Sequence, residues 1–222
     1  MPRPSTGRDR ILRYLLGSTA LNVPLPRAYG RVQSAHELAK RTGVTRSWVY
    51  TTIEELSSHG WLRTVDSIEP FNPRAIFAWW KENRTDLKAH SFHVADPKLA
   101  LAELQRRGVE TAVTTYYAEN VMQGHLFPRR GDGYVRAADL QKARTILVEE
   151  LDAQLGGTNL RILVGDDGVL DEDVHIGEGK ARVDYAPFPQ VVLDLLTEGG
   201  SAAEAADMLI KKAYPHAKPG LR

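Results

Sequence analysis

The sequence predicts an α+β protein in two parts. A helix-turn-helix with a β-hairpin occupies residues 1–71, a connecting helix covers 72–84, and a mixed α/β domain covers 85–222. Three observations predict this. Two short amphipathic segments flank Gly43, and the first opens with a capping pattern. An Asn-Pro pair at 72–73 starts a tryptophan-rich segment of helical period. Beyond residue 85, β-branched runs alternate with helical patterns.

In chain order, residues 1–7 are polar with two prolines and read as a frayed tail. Ile11, Leu12, Leu15 and Leu16 have helical spacing, so 9–17 is a short amphipathic helix. The proline- and glycine-containing stretch 22–31 is a loop, and Val32-Gln33 is a short strand candidate. Ser34-Ala35-His36-Glu37 is a capping box, in which each side chain satisfies a free backbone N–H at a helix start. That helix carries Leu38 and Ala39 inward and stops at Gly43, where a left-handed residue is needed. Thr45 caps a second helix over 46–59, with Val49, Ile53 and Leu56 on one face. Residues 61–65 and 68–71 are the two strands of a hairpin about the Asp66-Ser67 turn.

Asn72 as cap and Pro73 at the first helical position start the helix over 73–84, read as the link between the halves. Strands are expected at 90–94, 111–117, 134–137, 160–164 and 181–185. Helices are expected from Asp96-Pro97 to Gly108, over 139–155, over 189–196 and over 201–212, the last two parted by Gly199-Gly200. The stretch 127–134, rich in Gly, Arg and Pro, reads as a turn.

Composition narrows the function classes. The 222 residues suit one or two domains at about 150 residues each. A content of 42% hydrophobic and 26% charged residues excludes disorder, fibres and coiled coil as the dominant state. The absence of cysteine excludes disulfide scaffolds, cysteine zinc sites, iron–sulfur clusters and thiol nucleophiles, and suits a reducing compartment. No apolar run reaches the roughly 18 residues of a membrane span, and MPRPSTGRDR lacks the apolar core of a signal peptide. The expectation is a soluble, cytoplasmic protein with no membrane association. The net charge of +1 conceals an asymmetry. Residues 1–80 carry 11 Lys+Arg against 6 Asp+Glu, whereas residues 81–222 carry 18 against 22. A basic front half suits a polyanionic partner.

The front half has the parts a helix-turn-helix needs. Both helices own an apolar face, Gly43 makes the tight turn, and Val44 plugs it. At about 100° per residue, Ser47, Thr51 and Glu54 lie opposite Val49, with Trp48 and Tyr50 flanking them and Arg46 at the helix start. The N-terminal end of such a second helix enters the major groove, so Arg46, Ser47, Tyr50 and Thr51, together with Trp48, are the candidate DNA contacts. Arg63 on the hairpin is a candidate phosphate contact. The other reading of Trp48 and Tyr50 packs them against the helix at 73–84. The stretch ELAKRTGVTRSWVYTTIEELSSHGWL resembles a winged helix in its spacing, a fold that serves DNA binding and protein docking alike.

No catalytic residue, cofactor or metal is predicted for the rear half. The acidic residues Asp166, Asp167, Asp171, Glu172 and Asp173 lack the calcium-loop pattern and read as a solvated loop. His90 and His93 fall on opposite faces of a strand, where one ion cannot take both. No nucleophile elbow, zinc-helix or phosphate-loop motif occurs, and a nucleotidyltransferase's Gly-Ser opening and Asp-x-Asp pair are missing. The sequence therefore predicts no enzyme.

The closing segment VDYAPFPQVVLDLLTEGGSAAEAADMLIKK resembles the closing motif of the AbiEi-type antitoxin family, the regulators of type IV toxin–antitoxin systems. The matching residues are Tyr185, Pro187, Gln190, Asp194, Leu195, Leu196, Gly199, Gly200, Ala203, Glu204, Ala205 and Ala206, with an additional Pro and Phe ahead of Gln190. The winged-helix pattern passing through Asn72-Pro73 into a Trp-rich helix fits the same family, whereas 95–180 carries little likeness. The resemblance implies an autorepressing antitoxin: a winged helix on double-stranded DNA of its own promoter, and a C-terminal domain that counteracts a nucleotidyltransferase-type toxin without need of a direct complex. One recognition helix reads only a few base pairs, so a homodimer is expected. Two readings compete with it. One is a ligand-sensing regulator or nucleotide-binding protein whose C-terminal domain takes a small molecule. The other is a protein-docking winged helix.

Overall fold

A computed structural model describes residues 4–23, 29–84, 87–171, 175–176 and 183–216. Glu172 and Asp173 of the acidic run, 24–28 of the first loop and 181–182 of the last expected strand lie outside these residues. The architecture is mixed α/β.

The front half runs α1 (Pro4–Thr19), α2 (Ala35–Thr42), α3 (Arg46–Ser58), the antiparallel pair β1 (Leu62–Arg63) and β2 (Glu69–Pro70), and α4 (Pro73–Asn83). The rear half runs β3 (Lys88–His93), α5 (Pro97–Arg106), β4 (Thr111–Thr114), α6 (Thr115–Met122), β5 (Gly131–Val135) and α7 (Leu140–Thr145). It continues through β6 (Gln154–Leu155), β7 (Leu160–Val164), β8 (His175–Ile176), β9 (Val183–Asp184), α8 (Phe188–Glu198) and α9 (Gly200–Ala213).

The main sheet has the order β4-β5-β7-β3-β6. In it β5 and β7 run parallel, with Asp132 beside Arg161, and the other strand pairs described are antiparallel. The two faces of β5 are covered differently. Small residues on one face admit α5: a Cβ on Gly133 would come within 2.6 Å of Leu101 Cδ2. On the other face Asp132 and Tyr134 meet α6 and α8. The stretch read as a turn is thus a buried central strand from Gly131, because its glycines serve close packing and not chain reversal.

Three other boundaries moved for long-range reasons. The strand expected over 111–117 stops at Thr114, because Thr115 adopts φ +51° and begins α6. The helix expected over 139–155 is a short 3₁₀ turn, α7 and a π turn ending at Glu150. Asp152 then takes φ +52°, Ala153 turns into the core, and β6 pairs with β3. Val32 makes no strand of its own, but its carbonyl accepts from Ile68 N–H at 2.8 Å.

The apolar core is continuous from α1 to α9. The helix read as a link, α4, buries Ile76, Phe77 and Trp80 and packs against both α1 and α8. Trp80 donates its indole N–H to buried Asp9 at 2.6 Å, and Phe77 and Phe188 both meet Tyr214. Within this core lies a polar chain. Arg13 of α1 is 0% exposed and donates to Asp166 at 2.6 Å and to Gln190 at 2.8 Å. Gln190 donates to Tyr134 Oη at 2.9 Å, and Tyr134 donates to Asp194 at 2.9 Å. Asp194 also takes Thr114 at 2.7 Å and the Arg84 guanidinium at 3.0 Å. Burial opposes the Arg84 charge, but Asp194 and Tyr134 outweigh it and hold the guanidinium firmly protonated.

Two members of the acidic run expected to be solvated, Asp166 and Asp171, are ion-paired to arginines. Asp166 is buried on Arg13, and Asp171 bridges Arg10 of α1 and Arg136, the latter at 2.9 Å. The reason is a cation presented by α1 some 150 residues earlier in the chain.

Two predictions follow from these contacts. Arg13→Met leaves a buried carboxylate unpaired and is expected to lower unfolding free energy by about 3–5 kcal/mol in urea titration at pH 7. A loss below about 1 kcal/mol would show that Asp166 finds water instead. Burial, and for Tyr134 also the Asp194 charge, pushes the phenol pKa of Tyr134 and Tyr214 well up. Both states keep these protons below about pH 10, and above it only the unfolded chain loses them, so stability falls as pH rises past that point. Tyr214 donates to Leu16 carbonyl at 2.7 Å. Tyr214→Phe should therefore cost about 1 kcal/mol at pH 7, with the deficit shrinking at about pH 11.

Candidate nucleic-acid interface

The candidate surface begins with the start of α2. Ser34 Oγ accepts from Glu37 N–H at 3.2 Å, as the capping pattern requires. The Glu37 carboxylate reaches one residue further back than a capping box does, accepting from Gln33 N–H at 2.9 Å. That backbone bond, opposed by partial desolvation and helped by Arg41, lowers the Glu37 pKa. Gly43 ends the helix at φ +67°, and half-buried Val44 closes the turn against Gly7. Thr45 stands in the cap position of α3 with extended backbone but makes no side-chain cap bond.

Helix α3 packs on α1 and α2 through Val49, Thr52 and Leu56, with Ile53 half-buried beside them. Thr52 tolerates burial because its hydroxyl donates to Trp48 carbonyl at 2.9 Å. The opposite face carries Ser47, Thr51 and Glu54 in the open, with Tyr50 56% exposed and Arg46 exposed at the helix start. Arg46 makes no ion pair among the described residues, and the first turn holds no acid. Thr51 donates to Ser47 carbonyl at 3.1 Å and keeps its lone pairs for an outside donor. Trp48 is half-buried, whereas Tyr50 projects into solvent.

The hairpin pairs Leu62 with Pro70 and Arg63 with Glu69, shorter at both ends than the sequence suggests. Its loop carries Val65, 90% exposed, where the sequence pattern predicts a strand residue. Arg63 is exposed on β1. Its guanidinium lies 4.2 Å from the Phe71 ring centroid, and it lines a cavity of about 320 Å³ with Tyr29, Glu69 and His216, to which no α3 residue contributes.

The geometry thus brings Arg46, Ser47, Tyr50 and Thr51 onto one accessible face, with Trp48 at its edge. Such a face offers a cation, hydroxyls and an aromatic phenol to a polyanion's backbone and base edges. Among the described residues no group of three or more His, Asp or Glu is arranged to hold a metal ion, and no helix is long and apolar enough to cross a membrane. Comparison of the chain with family models, curated proteins and solved structures returns no match.

The turn on which this face depends is testable. Gly43→Ala places a Cβ in the left-handed region and is expected to cost about 1–2 kcal/mol in urea titration. Tyr50→Ala, at an exposed site, should stay within about 0.5 kcal/mol of the parent.

Proposed function

We propose that this chain is a DNA-binding transcriptional regulator in which α2, α3 and the β1–β2 hairpin act as a winged helix. The observation that carries the reading is the α3 face: a short capped helix, a left-handed glycine, and a second helix whose core side is buried while Arg46, Ser47, Tyr50 and Thr51 stay exposed. In this reading α3 lies in the major groove, Arg46 meets phosphate, and Ser47, Tyr50 and Thr51 meet base edges. The exposed Val65 loop is the wing tip. One such helix covers only a few base pairs, so a homodimer on two half-sites supplies useful affinity.

The resemblance of the C-terminal segment to AbiEi-type antitoxins makes autorepression of the chain's own promoter the favoured regulatory role, with a nucleotidyltransferase-type toxin as the functional counterpart. Two of the residues that carry this resemblance, Gln190 and Asp194, are buried members of the polar chain that ties α8 to α1 and β5. They act in this reading as frame and not as a site.

The test is fluorescence anisotropy on duplex DNA from upstream of the gene, against a scrambled duplex, at several salt concentrations. Tighter binding to the upstream duplex is expected, falling steeply with salt. Arg46→Ala should weaken binding to both duplexes and reduce the salt slope by about one. Equal, salt-insensitive or absent binding would sink the reading in favour of protein docking.

A further inference from the structure

On the face of the sheet opposite α5, a second constellation sits apart from α3. Buried Asp132 is held by two arginines, Arg130 at 2.8 Å and Arg161 at 2.6 Å, and also accepts from the Thr115 hydroxyl. Both arginines continue to Glu198 at 2.9 Å. Thr115 is β-branched and yet at φ +51°, a conformation such residues adopt only when the surroundings impose it. Beside this lattice opens a cavity of about 480 Å³ lined by Tyr116, His125, Phe127, Arg129, Arg130 and Ser201, among others.

What this cavity offers a ligand is specific. Phe127 is 79% exposed, although the loop that carries it is firmly tied. Glu119, fully buried, accepts from the backbone N–H of His125 at 3.1 Å and of Leu126 at 2.8 Å. Asn120 donates to Leu126 carbonyl at 3.1 Å. The fold therefore spends a buried carboxylate on holding a large apolar ring in water. Across the cavity the Tyr116 ring carries the Arg130 guanidinium at 5.3 Å from its centroid. Arg129 is exposed and makes no ion pair among the described residues. Among the described residues no acid lines the cavity. Its volume lies in the range of small-molecule sites. The start of α9 at Ser201 adds to the positive field, with no acid in its first turn.

We propose that this cavity binds a nucleoside phosphate, with the base stacked against Phe127 and the phosphate on Arg129. An aromatic ring held in water asks for a planar apolar partner, and an unpaired guanidinium in an acid-free cavity asks for an anion; a nucleotide carries both on one small molecule. The site lies outside the α3 face and does not depend on DNA binding. The nucleotide reaches it either free or as the phosphorylated end of a single strand.

Isothermal titration of the full chain with AMP, GMP, CMP and UMP tests this, beside inorganic phosphate, the four nucleosides and a 5′-phosphorylated deoxythymidine decamer. At least one monophosphate is expected to bind with a dissociation constant below about 1 mM, and phosphate or nucleoside alone at least about tenfold more weakly. Phe127→Ala and Arg129→Ala should each weaken binding by about tenfold or more with unchanged thermal midpoint, since both side chains are exposed. A decamer that binds more tightly than the monophosphates, and loses that affinity with Phe127→Ala, identifies strand ends as the source; a decamer that binds no better identifies free nucleotide. Arg46→Ala should leave every one of these affinities unchanged, so loss of DNA binding and loss of this site are separate results. The proposal is overturned if no monophosphate binds up to about 1 mM, if phosphate or a nucleoside alone binds as well, or if neither cavity substitution alters binding.

Discussion

The structure depends on one buried cation. Arg13 sits on the inward side of α1 between Leu12 and Tyr14, where the apolar spacing of its neighbours forces it into the core. A guanidinium cannot shed its charge there, so the rest of the protein must supply partners. Asp166 after β7 and Gln190 on α8 do so, from 153 and 177 residues away in sequence. Through Gln190 the same bonding reaches Tyr134 on the central strand and Asp194 on α8, and Asp194 in turn holds Arg84 at the end of α4. Removing Arg13 leaves the buried Asp166 carboxylate without its cation, which costs more than the lost bond itself.

This dependence explains where local sequence patterns were sufficient. Ser34, Gly43, Asn72-Pro73, Asp96-Pro97 and Gly199-Gly200 act within a few residues of themselves, and each marks a helix end in the structure. The face of α3 was legible for the same reason, since helical period alone separates Val49 and Leu56 from Ser47 and Thr51. What was not legible depends on distant partners. Gly131 and Gly133 look like a turn until Leu101 and Pro97 of α5 are seen against them. Asp166 and Asp171 look unpaired until Arg10, Arg13 and Arg136 are placed. Phe127, in a stretch of arginine, proline and glycine, gives no sign in sequence that its ring stays in water, because Glu119 and Asn120 decide that.

The two candidate surfaces share a frame and little else. Helix α1 packs against α2 and α3 as well as α8, so it stands between the exposed face of α3 and the rear sheet. The Arg13 chain and the Asp132 lattice meet on α8, where Asp194 serves the first and Glu198, one turn later, serves the second. An anion that drew Arg130 away would leave Arg161 on both Asp132 and Glu198, so the lattice keeps its closure. In the polar chain behind it Arg13, Gln190, Tyr134 and Asp194 each hold a partner. Communication between sites requires an element with two states that both ligands bias. The contacts favour a rigid frame that presents α3 in one orientation and carries the Phe127 cavity as an independent site. Occupying that cavity should therefore affect what the rear surface can engage and leave the geometry of the α3 face as it is.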